Sequence, residues 1–206
     1  MIADAQGAIF EDLVQQRRSI RHFQAVPVSR VLITEILRTV MWSPSPHNVQ
    51  PWRFTVLFDD ADKVRLADSM ASRLEEDLRL DGMTVDIIDQ QTTRSRRRVT
   101  SAPVVLVCSL VDDGLVTYGD ERRTALEWQM AVHSLGAALQ TLFLAAATRD
   151  LGTCWMAAPM YCPEEVKSAL ALPDDYAPQA LVLMGYPAMP GKIRERRSLE
   201  EVVDLR

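Results

Sequence analysis

The stretch Pro103 to Leu110 (PVVLVCSL) constrains the fold more than any other, with no charged residue, one hydroxyl and three valines in eight positions. A strand with one face in water alternates apolar and polar side chains, so an almost unbroken apolar run of this length describes a strand buried on both faces. Such a strand belongs at the centre of a sheet. Pro178 to Met184 (PQALVLM) is a second run of this kind, closed by Gly185-Tyr186-Pro187, and Arg53 to Phe58 (RFTVLF) is a shorter β-rich run.

Helical patterns surround these strands. Phe10, Leu13 and Val14 are spaced as on a helix that ends near Arg17-Arg18. Ser29 is placed to N-cap a helix through Val31, Leu32, Ile36, Leu37 and Val40, which Pro44 and Pro46 end. Asp59 and Asp60 precede a helix from about Ala61 carrying Val64, Leu66, Met70, Leu74 and Leu78. Asp81 to Thr100 is polar and reads as a further helix, with breaks allowed at Gly82 and Thr92-Thr93. Tyr118 to Arg149 lacks proline and repeats Trp128, Val132, Leu135, Leu139, Leu142 and Ala146, which predicts a long, mostly buried helix. Its small residues Gly136, Ala137 and Ala138 allow close approach of another helix, including one from a second subunit. Leu151 to Met156 reads as a turn into a short strand with Trp155 as a packed core aromatic, and Cys162-Pro163 opens a helix that closes at Leu170. The elements mix without steady βαβ alternation and without GxGxxG, so the expected class is α+β rather than Rossmann.

At 206 residues, 48% hydrophobic and 25% charged, the chain reads as a single domain over residues 1–206. A domain of that size buries roughly 70% of its unfolded surface and needs no disulfide or metal to fold. Cys108, Cys154 and Cys162 are odd in number, have no CxxC spacing and accompany only three histidines, so no metal site and a reducing, cytoplasmic setting are expected. The N-terminus lacks the basic n-region of a signal peptide, and the weakly polar stretch Ala137 to Ala147 falls short of the roughly 20 residues that span a bilayer. No membrane partner is therefore expected. A net charge of -5 and a pI near 5.3 argue against a nucleic-acid partner.

The cations are nonetheless distinctive. Lysine occurs only at Lys63, Lys167 and Lys192, and arginines cluster at Arg17-Arg18-Ser19-Ile20-Arg21, Arg94 to Arg98 and Arg194 to Arg197. Arginine suits bidentate recognition of phosphate or carboxylate, although each cluster also fits a solvated face. The loop Ser43 to Trp52 holds three prolines among small polar residues, predicting a rigid, extended, non-helical backbone. Together these segments are suited to a planar polar ring and a phosphate. No nucleophile stands out: no GxSxG elbow flanks the serines, the histidines lack ligand spacing, and the apolar context of Cys154 raises its thiol. Chemistry carried by a cofactor is the consequence.

Four segments in order, Arg17 to Phe23 (RRSIRHF), Pro44 to Phe54 (PSPHNVQPWRF), Leu151 to Met156 (LGTCWM) and Leu183 to Pro187 (LMGYP) with the basic tail after it, resemble the FMN-dependent nitroreductase superfamily. The resemblance implies an α+β fold with a central, mostly antiparallel sheet flanked by helices, in an intertwined homodimer with flavin at the subunit interface. It implies FMN as cofactor, taking a hydride from NAD(P)H at N5 and passing it to a small organic acceptor, a nitroaromatic or quinone, by a ping-pong cycle, with no catalytic side chain of the protein's own. Arg17, Arg18, Ser19 and Arg21 are implied to hold the phosphate and pyrimidine edge, with Arg196 of the tail also on the phosphate. Asn48 is implied to hydrogen-bond the ring with Pro46, His47 and Gln50 near it, and a backbone amide of Met156, Ala157 or Ala158 to meet N5.

Glu127 to Met130 and Trp155 to Tyr161 are similar to the branch that includes the reductase domain of coenzyme F420 biosynthesis, which implies dehydro-F420 precursors as an alternative acceptor. Arg94 to Arg98 would then meet an acidic substrate. The flavin-destroying enzyme of lower cobalamin ligand synthesis and the halotyrosine deiodinases share the same loops. A non-catalytic FMN-binding or storage protein and a cofactor-free structural dimer remain as readings from other classes.

Overall fold

The computed structural model describes residues 2–206. Its order is α1 (Ile2–Gln16), α2 (Arg30–Val40), β1 (Trp52–Leu57), α3 (Asp60–Leu80), α4 (Val85–Thr100), β2 (Val104–Leu110), α5 (Glu121–Ala147), β3 (Gly152–Met156), α6 (Pro163–Leu170) and β4 (Ala177–Gly185), with single 3-10 turns at Pro46–Asn48, Ala158–Tyr161 and Leu199–Glu201. The four strands form one sheet in the order β1-β2-β4-β3, antiparallel at every step.

All seven residues of β2 are buried, and their alternation explains why the run is apolar throughout. Val104, Leu106, Cys108 and Leu110 face the layer of α2 and α5, packing with Ile36, Leu139 and Leu142. Val105 and Val107 face the opposite layer, packing with Leu66 and Met70 of α3 and Val166 of α6. The sheet is thus the middle of three layers, and β2 and β4, the two apolar runs, are its inner strands.

Ser29 caps α2 by accepting from the Val31 amide, and Ile33, Ile36 and Val40 supply its buried face, while Val31 points outward. The polar stretch after α3 breaks at Gly82, where φ is +73°, but α4 runs unbroken through Thr92-Thr93. The Thr92 hydroxyl donates to the Ile88 carbonyl at 2.9 Å, which accommodates this residue inside the helix.

Helix α5, 27 residues long, buries ten of them within one chain, less than its pattern predicts. By length and composition it is apolar enough to cross a membrane, with a mean hydropathy of 1.5 over its best window, and half of that window is buried inside the protein. The stretch from Ala137 to Ala147 is only its C-terminal part, so that stretch is shorter than a span although the whole helix is not.

Candidate functional site

After α1 the chain runs along the outer edge of β3. Ser19 forms a parallel bridge with Thr153, and the Ile20 amide donates to the Thr153 carbonyl at 2.9 Å. This approach requires Gly152, because a Cβ there would lie 2.5 Å from Ile20 Cγ1. Ile20 is buried against the strand, and Ser19 and Arg21 are left exposed on either side of it.

The tail returns to the same segment. The Ala188 amide donates to the His22 carbonyl at 3.0 Å, and Gly191 packs so closely on Arg18 that an added Cβ would overlap the Arg18 Cβ and lie 2.9 Å from its Cγ. Arg17, Arg18, Ser19 and Arg21 from the first segment, with Lys192, Arg194 and Arg196 from the tail, consequently line one cavity of about 130 Å³. No acidic residue lines it. Among the described residues, none of these six cations forms an ion pair. Part of Arg18 is turned inward, donating to the carbonyls of Gln15 and Arg17, and the Arg17 guanidinium lies 5.8 Å above the Phe143 ring of α5. Cations with unpaired donors around a small acid-free cavity fit a phosphate dianion.

The proline-rich loop is not extended where its polar residues stand. Pro46–Asn48 form a 3-10 turn, and His47, Asn48 and Gln50 have φ of 51°, 56° and 52°, a left-handed conformation uncommon outside glycine. Ser45 organises the turn, its Oγ accepting from the Gln50 amide at 2.9 Å and its carbonyl from the Asn48 amide at 3.0 Å. Arg53 donates to the Gln50 carbonyl at 3.3 Å, and Ser43 Oγ donates to Thr141 Oγ1 of α5 at 3.0 Å. His47 and Asn48 are exposed. Pro46 lines a separate cavity of about 280 Å³ with Pro44, Ser45, Met130, His133 and Ser134.

Met156 ends β3, and Ala157 and Ala158 lead into the next 3-10 turn. Trp155 is not the packed core aromatic expected: it is 50% exposed, touching Phe143 at 6.0 Å between ring centroids. Two-sided burial along β3 stops at Cys154. Burial raises all three thiols, that of Cys162 to about 11, and at Cys154 the charges of Arg21 and Arg98 oppose the shift. Among the described residues no group of metal-ligating side chains is present.

The structure therefore gathers Arg17, Arg18, Ser19, Arg21 and Arg196 around one cavity, and puts Pro46 on another. Lys192 and Arg194 belong to the first cavity although the sequence reading selected Arg196 alone. Their signal was the spacing of two, which turns alternate residues of an extended chain to the same side.

A family model described as the nitroreductase family matches residues 14–186. An NADH dehydrogenase from Thermus thermophilus is 31% identical over 91% of this chain and 91% of its own. A 5,6-dimethylbenzimidazole synthase from Rhodospirillum rubrum is 27% identical over 91% of this chain and 86% of its own. A Desulfovibrio desulfuricans chain solved in complex with FMN superposes with a TM-score of 0.71 at 27% identity, covering 94% of each chain.

Proposed function

This chain belongs to the nitroreductase family, and on that premise we propose that it is an FMN-dependent oxidoreductase that draws hydride from NADH or NADPH and delivers it to an organic acceptor, a nitroaromatic or quinone. The observation that carries the reading is the acid-free cavity where Arg17, Arg18, Ser19 and Arg21 meet Lys192, Arg194 and Arg196. When bound, FMN supplies the two-electron chemistry. The chain's own residues supply position and charge.

In this reading the cationic cavity holds the phosphate by charge-assisted hydrogen bonds. Asn48 offers a side-chain amide to the ring edge from a turn whose conformation is held by Ser45 and Arg53, so little conformational freedom is lost on binding. Pro46, His47 and Gln50 shape that turn, and the amides of Met156, Ala157 and Ala158 are the candidates to donate toward N5. A second copy of the chain brings the loop and the cationic cavity together at a shared interface. The exposure of Trp42 (90%), Ile9 (70%) and Tyr161 (75%) in the single chain supports that assembly.

The test is an absorption spectrum of the desalted protein followed by anaerobic addition of NADH and then NADPH. Flavin bands that bleach are expected, and a protein that takes up no FMN on reconstitution overturns the reading. The relative named 5,6-dimethylbenzimidazole synthase favours a second reading, in which the flavin is itself consumed. Loss of one flavin per site when the reduced protein meets air distinguishes it from turnover with nitroaromatics, quinones or dehydro-F420 compounds.

A further inference from the structure

Arg21 lines two cavities. Beside the one already described lies a second, of about 200 Å³, walled by Arg21, His22, Arg94, Arg97, Arg98 and Ser101. Arg94, Arg97, Arg98 and Ser101 stand at i, i+3, i+4 and i+7, so they share one face at the end of α4. Like charges at that spacing repel and weaken a helix, and here they face a fourth guanidinium from another segment.

Among the described residues none of Arg21, Arg94, Arg97 and Arg98 forms an ion pair, whereas Arg96, on another side of the same helix, reaches α3 and pairs with Asp68. The helix pairs the arginine that points to α3 and leaves without a carboxylate partner, among the described residues, the three that face the cavity. Attraction to the negative end of the helix dipole accounts for Arg97 and Arg98 in the last turn, but not for Arg94, Arg21 or His22. The charges of Arg21 and Arg98 are both felt at the Cys154 thiol, so the cluster's field reaches the strand leading to Met156.

We propose that this cavity is a second anion site, joined to the first through Arg21, that receives a phosphate-class group of the small molecule meeting the cofactor. The proposal rests on reading the first cavity as the FMN phosphate site. Guanidinium forks and the Ser101 hydroxyl provide donors for such a group, and its charge relieves the repulsion within α4. The group comes either from the nicotinamide donor or from an acidic acceptor.

The test titrates inorganic pyrophosphate into the FMN-loaded protein by calorimetry, comparing wild type with Arg97→Gln/Arg98→Gln. Saturable binding is expected in the wild type, weakened about tenfold or more in the variant at equal flavin content. Rapid mixing then identifies the source. A variant impaired with NADPH but not NADH points to the donor's ribose phosphate, and one impaired equally with both points to the donor's pyrophosphate. A variant impaired only toward para-nitrophenyl phosphate relative to nitrobenzene points to the acceptor. No saturable binding in the wild type, or equal affinity in both proteins, overturns the second site. If FMN uptake and bleaching are normal in that case, the first reading stands; if the wild type takes up no FMN, both fall.

Discussion

Gly191→Ala tests how the cationic cavity is assembled. An added Cβ would overlap the Arg18 Cβ and lie 2.9 Å from Arg18 Cγ and 3.1 Å from Ile20 Cδ1. Carbon pairs settle at about 3.5–4.0 Å, so the tail must retreat by at least about 1 Å. Ile20 is buried and tied to Thr153, so the tail and not the Arg17–Arg21 segment gives way. Charge-assisted hydrogen bonds hold at about 2.7–2.9 Å, and a 1 Å retreat breaks those made by Lys192, Arg194 or Arg196. Losing one such bond costs about 1.5–3 kcal/mol, which is about 10- to 150-fold in Kd. Riboflavin lacks the phosphate and should lose little. Flavin fluorescence titrations of both ligands, beside a thermal melt, make the comparison. Equal losses for FMN and riboflavin, or unchanged FMN affinity, would refute the assembly of the cavity from the tail.

Asn48→Ala should weaken FMN and riboflavin alike by about 1–3 kcal/mol in the same titration, because it removes a ring contact and not a phosphate contact; full retained affinity rejects that role. Ser109→Ala should raise stability by up to about 1 kcal/mol, read as a higher urea midpoint at unchanged slope, since the Ser109 hydroxyl is buried without a hydrogen-bond partner among the described residues. The raised thiol of Cys162 predicts alkaline lability. From its ordinary value of 9.0 up to about 11 the unfolded thiol is ionised while the folded one keeps its proton, so stability falls as pH rises through that window by about 1.4 kcal/mol per unit. Cys162→Ala should make that part of a denaturation-against-pH curve less steep by about this amount, leaving the share of the raised Cys108 and Cys154 thiols, and an unchanged slope counts against the assignment.

The elements read correctly from the sequence are those whose signal is local. β2 and β4 are apolar because both faces are covered, and α6 begins at Pro163 and ends at Leu170 before Ala171 turns left-handed. The misread ones depend on what lies elsewhere. Trp155 looks like core because the strand before it is core, but the covering layer stops at Cys154. His47, Asn48 and Gln50 are left-handed because Ser45 and Arg53 bond the turn, a choice that three prolines do not announce. The arginine clusters were visible as clusters, and the Arg94-Arg97-Arg98 spacing could have marked a face. That Arg21 meets them, and that the tail folds back onto Arg18, is decided by tertiary packing over 70 residues or more.

The bridge between Ser19 and Thr153 bears on the solution behaviour of any variant in this region. β3 is an edge of the sheet, and an open edge offers unpaired backbone groups to other chains. The Arg17–Arg21 segment covers that edge with one bridge and one amide bond, and its charges discourage another strand from docking there. A substitution that loosens it would therefore bare a template for edge-to-edge association. Loss of cofactor and onset of aggregation should arrive together in such variants, with the second mistaken for general instability unless light scattering is recorded beside the flavin spectrum.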